Sequence, residues 1–170
     1  TKVFAGGENG FLLLDAFTRG ESYEIASVQT DGKAYEVSIA PTPDERIYAY
    51  IADRSGGLKI FDVTAPDTLG DSSLLAHVET EYCREALAVG DYVYLADGPN
   101  GLLIADLTPL WDEDPETQVS IIGKWDTDGN ARSLAYYNGL LYLADGNRGV
   151  KIMDVTNPSR PTQVSSIRTE

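Results

Sequence analysis

The sequence predicts an all-β fold of stacked four-stranded antiparallel sheets, and three observations carry that prediction. One motif, alanine, glycine and aspartate with four residues between each, occurs four times without a gap: Ala5, Gly10, Asp15; Ala52, Gly57, Asp62; Ala96, Gly101, Asp106; Ala144, Gly149, Asp154. The recurring glycine sets a period in the mid-forties, the length of one supersecondary unit that must stack on its neighbours to bury a core. Between these marks the apolar runs are short, rich in Tyr, Val, Ile and Leu, and bounded by Gly, Asp, Asn and Pro, while no segment sustains a helical period.

The second copy shows the elements in order. Tyr35 to Ala40 reads as the innermost strand, Ile47 to Ala52 as the second, Leu58 to Val63 as the third and Leu74 to Thr80 as the outermost. The third and fourth copies repeat the set. Along residues 47–52 one pleat face carries Tyr48, Tyr50 and Ala52 and the other Ile47, Ala49 and Ile51, so both faces are apolar and both need a cover. With no helices available the cover is other sheets, as in the blades of a β-propeller. The blades fall at about 1–30, 34–80, 84–126 and 131–170, and the first, starting at its second strand, lacks an inner strand. Three arrangements satisfy this pattern: a small closed ring, part of a larger propeller, or an arc that assembles with copies of itself. An apolar blade face left in water is unstable, and arcs pair or join head to tail to cover it.

Residues 50–63 (YIADRSGGLKIFDV), 94–109 (YLADGPNGLLIADLTP) and 142–158 (YLADGNRGVKIMDVTNP) resemble the LVIVD-repeat family of β-propeller proteins. The resemblance extends over essentially the whole chain. It implies a propeller, usually in exported or cell-surface proteins, and brings no catalytic motif. The first copy departs from it, with Ala5-Gly6 where the others have Ala-Asp and Phe17-Thr18 in place of a Thr-then-Pro turn, the mark of an atypical terminal blade.

Composition narrows the function. A net charge of −14 disfavours nucleic-acid and membrane-surface binding through bulk electrostatics and leaves cations, protein partners and solubility. Hydrophobic content of 42% fits a folded chain, and no apolar stretch is long enough for a membrane helix. The one cysteine, Cys83, builds no disulfide framework and reads as a small packed residue. The chain opens at Thr1 without methionine or a leader-like segment, so a processed or partial chain is expected and export is permitted.

Candidate sites are few. Asp53, Asp97 and Asp145 open Gly-rich turns, and Asp15, Asp62, Asp106 and Asp154 close third strands; both sets read first as turn residues accepting local backbone N–H groups. The best candidate for Ca²⁺ is Asp126, Asp128 and Asn130, with oxygen ligands at alternate positions. It lacks the sixth-position glycine and distal glutamate of an EF-hand and lies in a blade crossover. The acidic loop at 112–116 is a second, weaker cation candidate. Tyr35, Arg84 and Arg132 occupy matching places at the starts of three inner strands, as channel or partner candidates where the guanidinium groups could meet an anionic ligand; against that, Glu36, Glu85 and the crossover aspartates offer partners for an interblade salt bridge or hydrogen bond, the role expected first. The single histidine, His77, sits on an outermost strand with no nucleophile beside it, so no catalytic residue is assigned. Loops on the side opposite the crossovers vary in length and are where a partner contact is expected.

These observations point to a non-catalytic extracellular or cell-surface scaffold that binds other protein subunits, copies of itself among them. The alternative is a calcium-dependent hydrolase or lactonase-like propeller using channel carboxylates.

Overall fold

The computed structural model describes residues 2–16, 22–111 and 118–168. The short apolar runs form strands throughout. The first sheet contains β1 (Lys2–Gly7), β2 (Gly10–Ala16) and β3 (Ser22–Gln29), in that order. The second holds β4 (Glu36–Pro41), β5 (Ile47–Ala52), β6 (Leu58–Asp62) and β7 (Leu74–Val78). The third is β8 (Glu85–Val89), β9 (Tyr92–Ala96), β10 (Leu102–Asp106) and β11 (Ser120–Trp125). The fourth is β12 (Ser133–Tyr137), β13 (Leu140–Ala144), β14 (Val150–Asp154) and β15 (Thr162–Ile167). Each is an antiparallel meander, and the first lacks the inner strand, as the repeat register predicts. In every blade the pairing of third and outermost strands shifts register at the same repeat position, between Leu13 and Leu14, Ile60 and Phe61, Ile104 and Ala105, and Ile152 and Met153.

The repeated glycine has a double cause. Gly57, Gly101 and Gly149 have φ of 70°, 77° and 80°, a left-handed conformation that side chains resist. A Cβ at these places would also lie 2.0–2.4 Å from the carbonyl oxygens of Val78, Trp125 and Ile167 on the outermost strands.

Three apolar clusters fill the gaps between successive blades. Phe11, Leu13 and Val28 meet Ala49, Ile51, Phe61 and Val63. Tyr48, Tyr50, Ala52, Leu58 and Ile60 meet Val93, Leu95, Ala105 and Leu107. Tyr94, Ala96, Leu102 and Ile104 meet Leu141, Leu143, Met153 and Val155. The two faces of β5 therefore serve two different interfaces, and the same holds for β9. The inner strands β4, β8 and β12 lie side by side, and the second strand of each blade packs on the inner strand of the next. No comparable packing joins the last blade to the first among the described residues.

Successive blades are tied by a buried carboxylate. Asp53, Asp97 and Asp145 are fully enclosed. Each side chain takes at least one donor from the preceding blade crossover, where the sequence suggested N–H groups of its own turn, and Lys59 and Asn100 add donors from within the blade. The Thr30 hydroxyl donates to Asp53 Oδ1 at 2.6 Å and the Gly32 N–H to Oδ2 at 3.0 Å; the Thr127 hydroxyl donates to Asp145 Oδ1 at 2.6 Å. In the middle interface Asp97 accepts from the Tyr82 N–H (2.9 Å) and Asn100 Nδ2 (2.8 Å). Lys59, itself buried, donates to Asp53 Oδ2 at 3.0 Å and to the Gly56 carbonyl at 3.2 Å. Lys151 Nζ stands 3.9 Å from Asp145 Oδ2. In the first blade Gly6 takes the aspartate's place because a Cβ there would lie 2.5 Å from the Ala34 carbonyl oxygen.

The third-strand aspartates behave as expected. Asp62, Asp106 and Asp154 each accept the N–H two residues on, from Thr64, Thr108 and Thr156, all at 2.9 Å. The side chain of Asp15, the Phe17-Thr18 turn and the acidic loop at 112–116 lie outside the described residues.

Asp53→Ala leaves the enclosed Lys59 ammonium with only the exposed Asp31 carboxylate, 3.6 Å from Nζ, as counter-charge and is expected to cost about 3 kcal/mol in urea unfolding. Adding Lys59→Leu, the residue type that Leu103 supplies in the next blade, should recover more than half of the loss. A double variant no more stable than the single one would show that the ion pair is not the source.

Candidate functional site

The residues immediately before the inner strands are structurally equivalent. Tyr35, Arg84 and Arg132 donate their backbone N–H groups to the carbonyls of Ala52, Ala96 and Ala144 at 2.7, 2.9 and 2.9 Å, adding one rung to each inner pair. Their side chains do not share one fate. Arg132 is exposed, whereas Arg84 is half-buried and lies over two aromatic faces, 5.8 Å from the Tyr35 ring centre and 5.2 Å from that of Tyr82. Arg54, which the sequence did not single out, completes the group: its guanidinium is 5.6 Å from the Tyr35 ring and 4.9 Å from that of Tyr82, and Nη2 donates to the Tyr82 hydroxyl at 2.9 Å. Two cations and two phenol rings thus meet at the crossover end of the inner strands, between the second and third blades. The carboxylate partners expected for Arg84 do not pair with it; among the described residues no carboxylate lies within ion-pair distance of Arg54 or Arg84.

Glu36, on β4, is half-buried and accepts the Ala86 N–H at 3.4 Å. Burial, with a smaller contribution from the nearby Glu85 charge, pushes its carboxyl up to about 7 against the opposing pull of that N–H.

The calcium candidate folds as a crossover turn. Asp126 accepts the Asp128 N–H at 2.9 Å, Asp128 is left-handed with φ of 56°, and Thr127 between them is the residue bound to Asp145. Asp126 and Asp128 are exposed; Asn130 is half-buried, with an enclosed Oδ1 that has no hydrogen-bond donor. Among the described residues no three His, Cys, Asp or Glu side chains are placed to hold a metal ion. Cys83 is fully buried, its thiol pushed up by that burial, in the place Ala34 and Ala131 take in neighbouring repeats. His77 lies on the outermost strand β7 with Nε2 2.8 Å from the Gly56 carbonyl oxygen.

A second surface follows from the open arc. Tyr50 and Tyr94 are 2% and 3% exposed because the next blade covers them. The repeat-equivalent Tyr142 is only half-buried, as are its face-mates Leu140, Ala144, Val150 and Ile152. Tyr137 and Ile167, on the same face, are 74% and 55% exposed.

Four blades, a shared axial end and an uncovered blade face define a β-propeller. The chain belongs to the LVIVD-repeat family, whose repeat matches residues 46–70, 84–108 and 128–169, more than half of the sequence. Solved structures that share the fold include two that align over nearly the whole chain. The periplasmic gluconolactonase PpgL of Pseudomonas aeruginosa aligns with a TM-score of 0.71 at 15% identity, covering 99% of this chain and 55% of that one. The computationally designed protein Ika8 aligns with a TM-score of 0.67 at 9% identity, covering 99% of this chain and 46% of that one. The chain therefore spans about half the length of these two proteins. No curated protein matches the sequence. No helix among the described residues is long and apolar enough to cross a membrane.

Because the folded chain holds the Glu36 proton more tightly than the unfolded chain, this group's contribution to stability is full below pH 4.5 and is lost as pH rises through about 7. Glu36→Gln keeps an acceptor for Ala86 and removes the charge. Discounted for solvent screening, it should stabilise the protein by about 1 kcal/mol at pH 8 and by nothing at pH 4, read from thermal midpoints. An equal gain at both pH values would assign the effect to packing.

Proposed function

We propose that the chain is a non-catalytic assembly module, located outside the cytoplasm, whose last blade docks a further propeller segment supplied by a second copy of itself. The uncovered face of β12 to β15 carries this reading. Its tyrosine, alanine and aliphatic residues stand at the positions that form two of the three blade interfaces within the chain. Covering the part of Tyr142 and Ile152 that remains exposed would stabilise a complex by about 1 kcal/mol each. That the chain spans about half of two solved proteins of this fold supports pairing of two arcs into one ring. The periplasmic description of PpgL and the usual setting of the repeat support the location.

Light scattering of the purified chain should give a mass at least twice 18.4 kDa, and Tyr142→Asp with Ile152→Asp should return it to a monomer with unchanged far-UV circular dichroism. A wild-type chain that stays monodisperse at 18.4 kDa up to high concentration overturns the proposal. The second reading, a calcium-dependent lactonase, draws on the fold likeness to a gluconolactonase. Hydrolysis of gluconolactone that rises with added Ca²⁺ would put it in place of the first.

A further inference from the structure

Arg54 is an anomaly of the repeat. The residue after the second-strand Ala-Asp or Ala-Gly pair is glycine in the other three copies, Gly7, Gly98 and Gly146. The reason is visible in the backbone: Gly98 and Gly146 have φ of 56° and 60°, and Arg54 is held in the same left-handed region at 49°. Arg54 nonetheless makes the same bridge as its counterparts, exchanging backbone hydrogen bonds with Cys83 at 3.0 and 3.1 Å, where Gly98 exchanges them with Ala131 at 3.1 and 2.8 Å. A long side chain therefore occupies a place the fold prefers to leave bare, and strain of this kind, kept by its surroundings, is concentrated at functional positions.

The side chain reaches a setting in which no described carboxylate stands within ion-pair distance, although Asp53, Asp97 and Glu36 lie further off. Acidic residues outnumber basic ones by 27 to 13, so a free carboxylate is the easiest partner for an arginine to find in this protein. Arg54 and Arg84 find none among the described residues, and instead lie over the same two rings, Tyr35 and Tyr82. Arg84 Nε is enclosed and donates to nothing, and the one hydrogen bond of the Arg54 guanidinium goes to the Tyr82 hydroxyl. Two like charges gathered on shared rings repel, and an anion between them would turn that repulsion into attraction. The group is within reach of solvent, with Tyr35 53% exposed and Arg54, Tyr82 and Arg84 half-buried. Partial burial weakens screening, and the planar guanidinium fork matches a carboxylate bidentately.

We propose that Arg54 and Arg84, framed by Tyr35 and Tyr82 at the crossover end of the inner strands, form a carboxylate-binding site. The carboxylate comes either from a small organic acid or from acidic side chains of a peptide, and the ring faces hold the guanidinium groups in place for it. The site lies between the second and third blades and does not depend on the uncovered face of the last one.

The test follows the side-chain Nε–Hε signals of Arg54 and Arg84 by NMR. Sodium citrate and a tetraglutamate peptide are titrated separately, with ionic strength held constant by sodium chloride. Saturable shifts of both signals are expected with at least one probe, and the probe that saturates identifies the source. Arg54→Gly and Arg84→Gln should each weaken binding about tenfold, the loss of roughly one charge-assisted contact. Arg54→Gly is its own control for folding, since glycine is the residue at this place elsewhere in the chain, and its melting midpoint should not fall. Shifts that grow linearly with both probes, shifts that chloride alone reproduces, or affinities unchanged in both variants would overturn the assignment.

Discussion

Asp53, Asp97 and Asp145 are enclosed carboxylates, and in each case a preceding crossover delivers at least one of the donors that make burial tolerable. Burial of an ionised carboxylate costs several kcal/mol when donors are missing, so a crossover in any other place would leave the blade unstable. The constraint thus fixes the approach of one blade to the next. It also explains the glycines of the crossovers: a Cβ at Gly32 would lie 2.9 Å from Asp53 Cγ, and one at Gly129 2.4 Å from Asp145 Cγ. Once the crossover is seated, the inner strand begins three or four residues after Gly32, Tyr82 or Gly129, and the two apolar faces of the following strands meet their partners on either side.

Most of this architecture was legible in the sequence because it repeats. The strands of the second blade, the missing inner strand of the first and the two-sided burial of residues 48–52 follow from period-two alternation within a mid-forties repeat. Ile47 shows where alternation stops being informative. It belongs to the pleat face of Ala49 and Ile51 yet is 41% exposed, because it stands at the end of the strand where the neighbouring blade no longer covers it. The donors to the buried aspartates were less legible. Thr30-Asp31-Gly32 and Thr127-Asp128-Gly129 are a readable signal, but they precede their aspartates by about twenty residues, and only the fold shows that the two meet.

The axial cluster was half legible for the same reason. Tyr35 and Arg84 were found by their repeat position, and the structure brings them together. Arg132 shares the position and not the neighbourhood, since its side chain has no tyrosine pair to lie on. Arg54 and Tyr82 escaped because they break the repeat: one replaces a glycine, the other stands where the flanking crossovers have Gly32 and Gly129. A residue that departs from its own repeat is harder to weigh than one that conforms, yet here the departures from two neighbouring repeats meet through a hydrogen bond of 2.9 Å.

The −14 charge acts on the two surfaces in opposite senses. The uncovered face of the last blade is mainly tyrosine, alanine and aliphatic, with Ser133, Ser165 and a single carboxylate, Asp154, among them, while many acidic residues lie in turns and crossovers. Repulsion between two copies is then long-range and weakens over a Debye length of about 8 Å at physiological salt. Added salt removes the opposition and leaves the apolar contact intact. At Arg54 and Arg84 attraction acts over a few ångströms, but an incoming carboxylate must cross the same negative field, and salt weakens the contact itself along with that barrier. Assembly through the blade face should strengthen with ionic strength, and occupancy of the arginine pair should respond less or fall. The two surfaces are therefore separable by salt without altering a residue, and that separation follows from where the chain keeps its charge.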